Sequence, residues 1–96
     1  MLIKTLHIIR LINNNTVYYA GKRVTGYLME WVKDTEPRCW KSIKLYESYQ
    51  AAQNAYNASY LLKSTIKNRE GVVEIVECDL LLIKIKKQES NNESIN

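Results

Sequence analysis

The stretch that most constrains this chain is Ser48 to Lys63, SYQAAQNAYNASYLLK, the one segment with a clear helical pattern. At 100° per residue, Ala51, Ala52, Ala55, Ala58, Ser59 and Leu62 fall in one arc. Tyr49, Gln53, Tyr56 and Tyr60 form a narrow stripe beside it, and Gln50, Asn54 and Asn57 take the far side. Small residues on the inner face let a helix lie close to a sheet. Ser48 is placed as its N-cap, the hydroxyl accepting from a free amide of the first turn. Asn68 to Gly71 make the exit, with Gly71 expected in a left-handed conformation.

Strand patterns surround this helix. Leu2 to Ile12 is apolar and isoleucine-rich, Thr16 to Ala20 is β-branched and aromatic, and Tyr27 to Val32 alternates. Asn13 to Asn15 make a turn, because asparagine tolerates the left-handed backbone. Gly21 to Arg23 make a second, with Gly26 at a bend or bulge. Lys33 to Lys41 reads as a loop, Pro37 excluding a central strand. Ser42 to Glu47 reads as a short strand or arm. Val72 to Lys86 reads as a long strand, or as two strands joined at Cys78-Asp79. The expected fold is α+β: an antiparallel sheet of four or five strands with one helix on one face. One domain spans residues 1–87, and 88–96 form a flexible polar tail.

One helix covers only one face of such a sheet. Yet strand one carries apolar residues on both sides, and so does the run from Leu80 to Ile85. Three arrangements cover the second face. They are a second copy of the chain, a bulge that flips the alternation, or the 33–47 loop folded beneath the sheet.

The 96 residues suit one small domain, and the net charge of +4 permits an acidic or nucleic-acid partner without requiring one. Cys39 and Cys78 are expected as free thiols of a reducing cytoplasm. The N-terminal apolar run is interrupted by Lys4, His7 and Arg10, so no signal peptide is expected. No membrane span is expected either, and the chain reads as a cytoplasmic protein.

Enzyme signatures are missing from the sequence. There is no nucleophile elbow, P-loop or GxGxxG, and the lone His7 cannot build a zinc site. Glu74, Glu77 and Asp79 read as a charged strand edge rather than a metal site. No cofactor is expected. Two surfaces stand out for binding. The first is the stripe of Tyr49, Gln53, Tyr56 and Tyr60, tyrosine offering contact area and a polar tip at low entropic cost; the more ordinary explanation is a stripe that borders the core with its hydroxyls in water. The second is the cluster of Lys22, Arg23, Trp31, Arg38 and Trp40. It holds the ingredients of phosphate pairing and base stacking, although the more ordinary explanation is a solvated hairpin tip with two tryptophans buried in the core.

The segments YYAGKRVTGYLMEW, KLYESYQAAQNA and VVEIVECDL together resemble small proteins encoded by bacteriophages of AT-rich hosts. The resemblance covers roughly residues 2–79. It implies a β-β-β-α-β unit, and some phage proteins of this size inhibit host immunity, anti-CRISPR proteins among them. The leading expectation is therefore a non-enzymatic inhibitor of a host defence nuclease, acting by protein–protein contact in the host cytoplasm. The alternative is a nucleotide or nucleic-acid binding module, including a sponge for a nucleotide second messenger. A homodimer is compatible with either.

Overall fold

The computed structural model describes residues 5–22, 29–36, 38–69, 71–79, 83–85 and 88. The expectations for Leu2, Arg23, Gly26, Tyr27, Pro37 and the tail beyond Gln88 lie outside these residues. The fold is α+β: a four-stranded antiparallel sheet in the order β3-β2-β1-β4, with one main helix packed against it. The strands are β1 (Thr5–Asn13), β2 (Thr16–Lys22), β3 (Met29–Lys33) and β4 (Val72–Asp79). The helices are α1 (Cys39–Ser42), α2 (Tyr49–Ala58) and α3 (Tyr60–Arg69).

β1 and β2 form a hairpin closed by Asn14 and Asn15, both with positive φ (51° and 63°). That is the geometry a tight hairpin turn demands, and asparagine accepts it at little cost. The hairpin register runs from Asn13↔Thr16 to Arg10↔Tyr19 and stops there. Beyond it the two strands part, and residues 43–46 run between them. Ile43 bridges Gly21, the Lys44 amide donates to the Ala20 carbonyl, and Tyr46 exchanges both backbone hydrogen bonds with His7 at 2.7 and 2.9 Å. The expected arm is thus a wedge that satisfies backbone groups both strands would otherwise leave unpaired.

This wedge corrects the reading of Gly21 as a turn residue. β2 continues through Gly21 to Lys22. Glycine is required there because a Cβ would lie 2.9 Å from the Ser42 carbonyl oxygen. Gly71 is likewise not left-handed. Its hydrogen side faces Leu11 and the Ile12 carbonyl, so a methyl group there would have to displace the tip of the Leu11 side chain.

The register divides the side chains between two faces. Ile9, Leu11, Ala20, Trp31, Val73 and Ile75 point to one; Leu6, Ile8, Arg10, Tyr19, Val32 and Glu74 point to the other. The first face meets the helices. Ile9, Ala20, Ala52 and Leu62 form the buried centre, with Met29, Trp31, Tyr46, Tyr56, Val73 and Ile75 packed around it. Each fully buried Ile or Leu contributes about 1.5–3 kcal/mol.

The second face is covered within the single chain. Leu6, Ile8 and Val32 are buried there, and α1 sets Cys39 against the Val32 carbonyl and Trp40 against Tyr19. Of the three arrangements expected for this face, the 33–47 segment folded against the sheet is the one found over β2 and β3. It holds a helical turn where a plain loop was expected.

Two further expectations are corrected. The single helix from Ser48 to Lys63 is broken at Ser59, which has extended backbone (φ −93°, ψ 103°). Ser59 ends α2 by donating its amide to the Tyr56 carbonyl, and its hydroxyl accepts from the Leu62 amide, starting α3. The Lys63 ammonium caps the Asn57 carbonyl at 2.6 Å. With Leu62 on a separate helix, α2 turns a different side inward. Ala52 is buried and Ala55 and Tyr56 half-buried, while Ala51 and Ala58 are exposed. The long final strand is also shorter than expected. β4 ends at Asp79, and residues 83–85 are helical, with Ile83 buried.

Candidate functional site

Ser48 fixes the start of α2, its Oγ accepting from the Ala51 amide at 3.0 Å. Side-chain pairs Gln50–Asn54 and Gln53–Asn57, each one helical turn apart, brace the outer surface. α2 lies across β1 and β4, and its tyrosine side does not meet β4 flush. A groove of about 240 Å³ remains between them, lined by Tyr49, Gln53 and Tyr56 from the helix and Val73, Glu74 and Ile75 from the strand.

The expected stripe is therefore brought together in part. Tyr49, at 55% exposure, stands at the rim. Tyr56 reaches inward to the core, and burial raises its phenol pKa above the ordinary value. Gln53 sits half-buried between them. Tyr60 does not line the groove. The break at Ser59 carries it onto α3, where it is 78% exposed. On the opposite wall, Glu74 was read from sequence only as part of a charged edge, and Val73 and Ile75 were not singled out. Alternation marks those residues as strand, but strand order decides that they face α2.

The basic and aromatic cluster is divided by the sheet. Trp31 faces the helices, and its Nε1 donates to the Leu62 carbonyl oxygen at 3.1 Å. Trp40 lies on the opposite side, half-buried, its ring 5.4 Å from that of Tyr19. Arg38 is held by two carboxylates: Nη1 donates to Glu30 at 2.8 Å and Nε to Glu36 at 3.0 Å. These bonds raise its pKa further and fix the guanidinium as a clamp between β3 and the approach to α1. Lys22 is exposed at the end of β2, and Arg23 is beyond the described residues.

Reactive groups are subdued. Cys39 and Cys78 are free thiols. Burial, reinforced by Asp34 and Glu36, pushes the Cys39 thiol up to about 12. Burial and Asp79 push the Cys78 thiol up as well. Both changes disfavour the nucleophilic thiolate. Among the described residues no three His, Cys, Asp or Glu side chains gather as a metal site. Alternation along β4 sends Glu74 to one face and Glu77 to the other. No helix among the described residues is long and apolar enough to cross a membrane.

Compared with family models, curated proteins and solved structures, the chain matches none of them.

Proposed function

We propose that this chain is a non-enzymatic binding protein that acts by contact with another protein, received at the groove between α2 and β4. The observation that carries the reading is the groove itself. Its walls are two tyrosines, a glutamine, two aliphatic residues and Glu74, and the tyrosines in particular suit a protein interface. Its volume, about 240 Å³, falls below the roughly 300–1,000 Å³ typical of small-molecule pockets. That size suits a protruding side chain better than a nucleotide. In keeping with the phage resemblance, the partner class we propose is a host defence nuclease or its complex, and the effect is inhibition.

The nucleotide or nucleic-acid reading has less support. Arg38 is already neutralised by Glu30 and Glu36, and Trp31 and Trp40 lie on opposite sides of the sheet. A stacking platform needs its rings and cations on one surface.

Expression in a bacterium with an active nuclease-based defence tests the proposal. A targeted phage regains plating efficiency with the native chain. It stays restricted with Tyr49→Ala/Gln53→Ala, a double variant whose circular dichroism remains native. A folded native chain that relieves none of the defences tried, and retains no host protein, counts against it.

A further inference from the structure

We infer that β4 is an acceptor strand, taking an extended basic segment of the partner protein along its outer edge, with one apolar side chain of that segment in the groove. This inference rests on the docking reading above and specifies how the partner is held.

β4 is terminal in the sheet, and among the described residues no strand pairs with its outer side. An edge strand leaves every second residue's amide and carbonyl directed outward, a template for one more strand. Natural edges are blunted by shortness, proline or charged side chains, lysine above all. β3, the other edge, has five residues and ends in exposed Lys33. β4 has eight residues, VVEIVECD, without proline, and its charges are all acidic, so they repel another acidic strand but not a basic one. Val72 is 63% exposed at its start.

The groove lies beside this edge on a single face. Val73, Ile75 and Glu77 follow one another on that face by strand alternation. A strand added alongside would set its own alternate side chains next to these three. An apolar one beside Val73 and Ile75 enters the groove beneath Tyr49 and Tyr56. A residue two positions along comes beside Glu77.

Charge selects the occupant. Val72–Asp79 contains Glu74, Glu77 and Asp79 and no basic residue, in a chain of net charge +4. Glu74 is engaged by Arg10 at 2.9 Å. The Glu77 carboxylate is 76% exposed, with His7 Nε2 of β1 at 3.8 Å, and lies on the same face of the sheet as the groove. It calls for lysine or arginine opposite. A second copy of β4 is disfavoured, because two acidic strands would then lie about 4.8 Å apart. The segment recognised is thus extended, with an apolar residue and a basic residue two positions apart.

The test titrates the isotope-labelled full chain with a short capped peptide alternating lysine and valine around a central leucine. A counterpart carries glutamate for lysine. The lysine peptide is expected to saturate, shift the amides of Val72–Asp79 and the rings of Tyr49 and Tyr56, and slow exchange at alternate β4 amides. The glutamate peptide is expected to leave them unmoved. Glu77→Lys, a change at an exposed site, weakens the lysine peptide about fivefold and improves the glutamate peptide. Absence of β4 shifts at millimolar lysine peptide, indifference to Glu77→Lys, or self-pairing of β4 in the free protein overturns the inference. In the plating assay the two readings separate. Inhibition that survives Glu77→Lys but not Tyr49→Ala/Gln53→Ala removes strand addition and keeps the docking groove. Inhibition that survives both removes the two together.

Discussion

Trp31 and Leu62 are joined across the core by a hydrogen bond from the indole Nε1 to the main-chain carbonyl oxygen, 3.1 Å long. It ties β3 to α3 and satisfies the one polar atom of a ring otherwise packed against apolar neighbours. Trp31→Phe keeps most of the packing and loses the bond. The expected cost is about 1 kcal/mol, read by urea denaturation. Amide exchange should rise more in α3 than in α2, because α3 alone is held by this contact.

Gly21 and Gly71 are both needed for close approach, but against different neighbours. A methyl group at position 21 meets the Ser42 carbonyl of the wedge, and backbone cannot step aside cheaply. At position 71 the closest atom is the tip of the Leu11 side chain, with the Ile12 carbonyl next at 3.1 Å. Gly21→Ala is expected to destabilise by about 1–3 kcal/mol and to expose the Lys44 and Tyr46 amides to exchange. Gly71→Ala should cost less and leave those amides protected.

The buried Cys39 thiol makes stability depend on alkaline pH. Its folded pKa, about 12, lies above the ordinary value of 9.0. The contribution is therefore complete below pH 9 and is lost as pH rises from 9 toward 12, when the unfolded chain ionises first. Tyr19, Tyr46 and Tyr56, all raised by burial, act in the same direction at somewhat higher pH. Chemical denaturation in steps from pH 8 to pH 11 should show a falling midpoint, with a shallower fall in Cys39→Ala. In the native protein a disulfide reagent should modify Cys78 before Cys39, and Cys39 only on unfolding.

Ser48 is the hinge between the wedge and α2. Ser48→Ala removes the bond to the Ala51 amide and is expected to cost about 1 kcal/mol. Because Tyr49 follows directly, the loss should loosen the groove rim before the core. Broadened Tyr49 resonances beside unchanged Ile9 and Leu62 signals would report it.

The local devices of the fold were legible in the sequence, and its long-range ones were not. Asn14-Asn15 announces a tight turn because few other pairs accept positive φ, and Ser48 announces a cap because a hydroxyl precedes a helical pattern. The break at Ser59 left no comparable mark. A serine within an alanine-rich helix is tolerated, and only the pull of Leu62 into the core and the Lys63 cap on Asn57 make two helices the better solution. Gly21 looked like a turn because glycine before lysine and arginine usually is one. Its role depends on Ser42, distant in sequence. For the candidate site, the tyrosine stripe was visible as a periodicity. Its opposite wall was not: the acids of VVEIVECD suggest an edge strand, but nothing local says which helix face it meets.

The most direct measurement of the central claim is site-specific photo-crosslinking in host cells, with a photoreactive phenylalanine placed at Tyr49 or, as comparison, at Lys22. The account predicts a discrete adduct with a host protein from position 49 and none from position 22. An adduct from position 22 with none from position 49 would contradict it.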